Sequence, residues 1–331
     1  MEHWQETLAT AQGRNMVDRD RLEAALEKVR SKVKDPSVGL FGPGSIAWRL
    51  YREQVMGVGG GRALLLQTAH PFVSHAVQQH SAYQTDPHGR GERTFKALFA
   101  WLFGDMEKAF AAARRTWGVH ERIVGDIANR AGPYDQGEHY AANEQHALFW
   151  VHSTLWDTPW RLYEMLFRPL SRDERNQFYE ETKLFAYMFG IEDDYIPPTF
   201  DDFCAYNEKM FNTDILSVDE ASMDVARYVL AAPNKASVPI VEWYKIMTAG
   251  LLPERVAHGY QFKWGRFEER VFEASIKALR AGTPLIPGLL RYSPIYRRAA
   301  HRVGGTRPGR IEKRINRVYQ QMENSMAKAV A

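Results

Sequence analysis

The chain has 331 residues, 45% of them hydrophobic and 25% charged, with a formal net charge of +3. That length supports a sizeable buried core, and the composition excludes a globally disordered chain. The charge is too small to indicate a nucleic-acid partner, and a single cysteine, Cys204, excludes an internal disulfide.

Residues 1–32 contain no apolar signal core, and no run reaches the ~18 apolar residues of a membrane span, so a cytoplasmic protein without a transmembrane segment is expected. Residues 18–34 carry Leu22, Ala25, Leu26 and Val29 on one face, which predicts an amphipathic helix. Glycine- and proline-rich stretches at 39–45, 57–62, 86–92, 131–138 and 281–288 read as breaks. Ser171-x-x-Glu174 and Ser217-x-x-Glu220 read as capping boxes, and Thr199 after Pro197-Pro198 as a further helix start. Alternating β-branched runs are scarce, so the predicted class is all-α. The expected organisation is an N-terminal helical extension over 1–38, one large helical domain over 39–300, and a basic helix over 301–331 packed on it. That basic segment reads as a solvated helix, and aromatics in the C-terminal third leave room for a homodimer.

Three segments carry candidate chemistry. TAHPFVSHAVQQHSAY holds His70, His75 and His80 at five-residue intervals. Five helical residues turn through about 500°, so neighbours in this series point to different faces. Metal-binding pairs on one helix use i,i+3 or i,i+4 spacing, and neither H-E-x-x-H nor E-x-x-H occurs. Pro71 suits the first turn of a helix, which makes His70 its cap and puts His75 and His80 on it. His75 reads as structural, and no carboxylate pattern accompanies His139, His146 or His152.

In GDMEKAFAAARRTWGVHERIVGDIA, residues 104–128, Asp105 is a helix cap. Ala113, Thr116, Trp117, His120, Ile123, Val124 and Ile127 follow helical spacing on one face. A histidine on such a stripe is either a satisfied core residue or a neutral imidazole suited to a single axial bond to heme iron. In DPHGRGERTF, Arg90, Arg93 and Thr94 stand at i, i+3 and i+4, so a helix would gather them on one side. They would meet an anion, or pair with Asp86 and Glu92.

Together, LLLQTAHPFVSHAVQQHSAY, RGERT, RTWGVHERIVG and YAANEQHALFWVHSTLWDT resemble the heme-dependent oxygenase family of MpaB-type enzymes and latex-clearing proteins (rubber oxygenases). DDYIPPTFDDFCAYNEKM and GLLPERVAHGYQFKW extend the likeness over roughly residues 39–300. The resemblance implies a globin-related helical core holding one non-covalent heme b, with His120 as the proximal iron ligand and Trp117, His70, Ile123 and Val124 around the cofactor. It implies catalytic roles for Arg90, Arg93 and Thr94 in stabilising developing negative charge and orienting a proton. Arg93 stands where the latex-clearing enzymes carry lysine, and a guanidinium stays protonated and cannot coordinate iron. The implied activity is O2-dependent cleavage of a carbon–carbon double bond in a small hydrophobic substrate, with rubber itself not expected. Two other classes remain open: a non-catalytic heme sensor or carrier, and a helical scaffold without cofactor.

Overall fold

Asp18 starts the first helix by accepting from Arg21 N (2.8 Å), and the helix α1 (Arg19–Lys32) then buries Leu22, Leu26 and Val29. The computed structural model describes the backbone of residues 15–81 and 87–328, and the side chains of 15–81, 94–319 and 321. Further helices follow as α2 (Ile46–Tyr51), α3 (Gly60–Thr68), α4 (Pro71–His80), α5 (Pro87–Phe103) and α6 (Met106–His120). A short antiparallel hairpin, β1 (Val124–Asp126) and β2 (His139–Ala141), pairs Gly125 with Tyr140. Then come α7 (Gln145–Leu166), α8 (Arg172–Tyr187), α9 (Phe200–Asn212), α10 (Glu220–Val229), α11 (Val238–Leu251) and α12 (Glu254–Gly259). The last are α13 (Arg266–Gly282), α14 (Gly288–Arg291), α15 (Pro294–Val303) and α16 (Arg310–Lys328). Among the described residues the protein is all-α apart from that hairpin.

The core gathers on α7. Sixteen of its 22 residues are buried, against α3 on one side and α8 on another. An aromatic layer surrounds it: Trp156 meets Phe178 (ring centroids 4.9 Å) and Phe185 (5.4 Å), and Trp101 of α5 meets Phe185 (4.9 Å) and Phe189 (4.7 Å). Because α7 is buried, its polar groups need protein partners. Pro159 has no N–H for the carbonyl of Leu155, one turn earlier, and the Tyr51 hydroxyl donates to that carbonyl instead. Trp150 Nε1 donates to Leu66 O at 2.8 Å.

Asp157 and Arg62 form a buried ion pair between α7 and α3 (2.6 Å). Arg62 also donates to Thr158 Oγ1 (2.6 Å) and to Leu251 O at the end of α11 (2.8 Å). One guanidinium therefore joins three helices.

Several sequence expectations hold. Ser171 with Glu174, and Thr199 with Asp202, form complete capping boxes. His70 caps α4, with Pro71 in its first turn. Three expectations are corrected. Ser217 is not a cap: its N–H donates to Ala69 O, and Asp219 caps α10 by accepting from Ser222 N (2.8 Å). Asp219 is also tied to His75, so a tertiary contact sets where α10 begins. Residues 57–62 are not a break but a 3-10 turn running into α3. Their glycines allow close helix packing, since a Cβ on Gly61 would lie 2.2 Å from Thr248 Oγ1 of α11. Residues 87–92, also read as a break, are the first turns of α5. Among the described residues, no helix is long and apolar enough to cross a membrane.

Replacing Arg62 with Met should destabilise the fold by about 3 kcal/mol, the lower end for breaking a buried pair. Arg161 still donates to one oxygen of Asp157 (2.8 Å), which limits the loss. Urea unfolding with an unchanged m-value would read it, and a loss below about 1 kcal/mol, the range of exposed pairs, would contradict the role given to this contact.

Candidate functional site

α6 runs from its Asp105 cap, which accepts from Lys108 N (2.8 Å), to His120 as its last residue. Ala109, Phe110, Ala112 and Ala113 are buried. The half-buried Trp117 donates from Nε1 to Val17 O (2.8 Å), which fixes the rotation of the last turns. One turn on, His120 keeps some accessible surface, yet desolvation pushes its pKa down to about 4. Among the described residues, neither of its ring nitrogens makes a hydrogen bond. A C-terminal helix position ordinarily favours a protonated histidine, so removal from water outweighs the helix dipole here. An imidazole that is desolvated, and unpartnered among the described residues, is held in its neutral form at pH 7.

The helix does not continue to residue 128 as its apolar spacing predicts. Ile123 N bonds back to His120 O (2.9 Å), and the chain turns into β1, which is held in register by β2. Ile123 is half-buried in a small cluster with Phe72, Tyr134 and Tyr140, Val124 is 45% exposed on the strand, and Ile127 is buried. Trp117 instead packs on the main core. The predicted stripe is thus divided between a helix end, a turn and a strand.

His70 reaches the same small cluster from the other side. Its Nδ1 accepts from Phe72 N (3.2 Å), so the proton sits on Nε2, 3.3 Å from the Tyr134 hydroxyl. Burial, and next the nearby His146, push its pKa down to about 3. Both nitrogens are engaged, so His70 serves as a cap and a wall. His75 is buried and donates to Asp219 (2.9 Å), joining α4 to α10. His80 is exposed with its ring edge toward Tyr140. The three histidines turn to separate partners, and no group of three His, Cys, Asp or Glu side chains converges as a metal site among the described residues. Cys204 is half-buried, and desolvation raises its thiol to about 12, which keeps it protonated and inert.

Arg90, Arg93 and Thr94 lie on α5, whose backbone is helical from Pro87, so their spacing does put them on one helix face. The side chains of Arg90 and Arg93 lie outside the described residues; Thr94 is exposed. Two residues, Gly104 and Asp105, join α5 to α6, and the two helices pack along each other as a hairpin. Arg90 and His120 each stand about 15 residues from that turn, roughly 22 Å at 1.5 Å per residue, so both belong to the open end of the hairpin. Nearer the turn on α5, Phe95 and Phe99 are stacked (6.0 Å), and Phe95 is 51% exposed.

Two buried ionisable groups carried little signal in the sequence. Glu144 caps α7, accepting from His146 N (3.1 Å) and Ala147 N (2.8 Å), yet burial pushes its pKa up to about 7. Its neighbour Asn143 turns its amide oxygen to accept from Trp117 Nε1 (3.3 Å) and Glu121 N (3.2 Å), which links this segment to the helix of His120. A preceding loop and the ANEQH sequence could have marked Glu144 as a cap, but not as a neutral acid. His152 is fully buried, its nitrogens make no hydrogen bond among the described residues, and burial takes its pKa to about 3. Its ring lies among Phe149, Trp156, Phe185 and Phe189.

Glu144 sets a test. Its folded pKa lies above the unfolded one, so between about pH 4.5 and 7 the native state holds a proton that the unfolded state has lost. Stability from this group is therefore present below pH 4.5 and declines until pH 7, by an amount on the order of 3 kcal/mol. Unfolding free energies of the native chain and of Glu144→Gln, measured from pH 4 to 8, should diverge by that amount across this window. Parallel curves would show an ordinary exposed carboxylate.

A family model described as "ER-bound oxygenase mpaB/B'/Rubber oxygenase, catalytic domain" matches residues 48–281. The match takes in α3 to α12, and with them His70, Arg90, Arg93, Thr94, His120 and Glu144. No curated protein and no solved structure matches the chain.

Proposed function

Because the chain belongs to the mpaB and rubber oxygenase catalytic-domain family, we propose that it is a heme b-dependent oxygenase with His120 as the one protein ligand to iron. The observation that carries this reading is the state of that imidazole: neutral, desolvated, accessible and without a hydrogen-bond partner among the described residues. Those are the properties a histidine that would hold iron needs, since its lone pair must be free of both proton and neighbour. A porphyrin brings four nitrogen donors of its own, so one histidine suffices where a protein-ligated metal would need several. The residues present fit the group. Heme bound here would supply the iron-centred redox chemistry of an oxygenase.

The side chains divide the remaining work. Trp117, held by Val17, sets the direction of His120, and the surrounding protein keeps water and protons from competing for its nitrogen. Ile123 and His70 pack with Phe72 and Tyr134 in the cluster after the end of α6 and would flank the group, with the exposed Val124 beside them. Arg90 and Arg93 stand on the helix that pairs with α6, and their permanently protonated guanidiniums would serve to stabilise negative charge that develops on reacting oxygen. Neither guanidinium can give up its proton to become a ligand. Thr94 contributes a hydroxyl to orient a proton. The substrate is a small apolar molecule with a carbon–carbon double bond. Both atoms of one O2 are transferred to the two alkene carbons, so the double bond breaks and two carbonyl groups form.

The test separates cofactor from reaction. The native chain, loaded with heme, should show a Soret band that His120→Ala shifts or abolishes. Arg90→Ala/Arg93→Ala should retain the band while oxygen uptake on a panel of unsaturated isoprenoids and lipids falls by about 100-fold, the scale of losing charge stabilisation. A Soret band unchanged by His120→Ala would overturn the ligand assignment. A heme-loaded chain that consumes no oxygen with any alkene would favour a sensor or carrier.

A further inference from the structure

α16 is attached through its polar side. Glu312 is buried, accepts from Arg297 Nε (3.1 Å) and pairs with His301 Nε2 (2.9 Å). Asn316 Oδ1 accepts from the same Arg297, and the Tyr319 hydroxyl accepts from Gln54 Nε2 (3.2 Å). Residues 312, 316 and 319 form one stripe by i,i+4,i+7 spacing, and that stripe faces the protein. The neighbouring stripe is Ile311, Ile315 and Val318. It turns outward: Ile311 is 71% exposed, Val318 49%, and Ile315 only half-buried.

The same anchors lay a second apolar segment against this helix. Gln54 also donates to Leu290 O (2.6 Å), and Arg297 to Leu289 O (2.6 Å). Leu285, Ile286 and Leu290 of that segment are exposed, Leu285 by 82%. The margin of this surface is basic. Arg307, Arg310, Lys313, Arg314 and Arg317 are exposed, and among the described residues they make no ion pair. Glu312, the single acid of residues 304–321, is already engaged with Arg297 and His301.

A helix whose polar side docks inward while its apolar side faces water reverses the usual arrangement of a surface helix. An exposed apolar ridge of this kind marks an interaction surface. We propose that the face formed by α16 and residues 285–290 docks the protein on an anionic phospholipid surface. An amphipathic helix lying in a membrane interface buries its apolar stripe in the acyl boundary and sets its cations among the headgroups. Charge decides between possible occupants: a second copy related by two-fold symmetry would bring this cationic face against its own copy, with no free acid among its described residues to meet the five cations. Anionic lipid meets them all.

The experiment is vesicle flotation of the full-length chain. With vesicles of phosphatidylglycerol and phosphatidylcholine, the bound fraction should exceed that with phosphatidylcholine alone by about 10-fold or more, and it should fall as salt rises. Ile311→Asp/Val318→Asp and Arg314→Glu/Arg317→Glu should each reduce binding by about 10-fold, with circular dichroism and thermal midpoint unchanged because these side chains are exposed. Equal binding to both vesicle types would overturn the proposal, as would wild-type binding by the Ile311→Asp/Val318→Asp variant. So would a dimer seen by light scattering that those same two substitutions dissociate, because the face would then belong to a second copy.

Discussion

The burial of α7 is the constraint that orders the rest of the molecule. A helix sunk along most of its length cannot leave its polar groups to water, and neighbouring elements supply partners to several of them. The ring nitrogens of His152, Trp156 and Trp160, by contrast, make no hydrogen bond among the described residues. Arg62 answers Asp157 and Thr158, Tyr51 answers the carbonyl freed by Pro159, and Leu66 offers its carbonyl to Trp150. Each of these contacts fixes the position of α2 or α3 relative to the centre. The aromatic layer then packs α5 and α8 on the same axis. The helix hairpin bearing the candidate site is therefore mounted on a framework determined by hydrogen-bond satisfaction as much as by apolar area.

A dry interior also selects protonation states. Near the site, the acid Glu144 is shifted toward its protonated form, and the bases His70 and His120 toward their unprotonated forms. In each case desolvation is the largest cause and favours the uncharged species. These three buried groups thus contribute little fixed charge of their own beside the end of α6. Charge there would have to come from neighbouring residues, a ligand or a reaction.

Much of this was legible in local sequence. The caps at Asp105, Ser171 and Thr199 are set within four residues, and each forms as spacing predicts. The same holds for His70 before Pro71. Where reading failed, a distant partner decided. Glycines at 57–62 read as a break because their packing against Thr158 and Thr248 lies about a hundred or more residues away. The stripe from Ala113 to Ile127 has helical spacing, but β2 pairs with residues 124–126 and ends the helix early. Ser217 lost its predicted role to Asp219, which His75 holds in place. The candidate site shows the same division. Sequence singled out His120 and the spacing of Arg90, Arg93 and Thr94. The shifted acidity of Glu144 and the enclosed ring of His152 depend on what surrounds them, and no short motif encodes that.

The inverted attachment of α16 has a thermodynamic consequence. Helices docked by apolar burial carry a heat-capacity change, so their grip varies with temperature along a curved profile. Among the described residues, the hydrogen bonds and ion pairs that hold α16 are made by Glu312, Asn316 and Tyr319. Its detachment should carry little heat-capacity change, so it would leave almost no curvature in a calorimetric trace. Protonation of Glu312, whose pKa its bonds to His301 and Arg297 lower against burial, would loosen this helix at acid pH. The end of the chain thus answers to protons, whereas the core answers to heat.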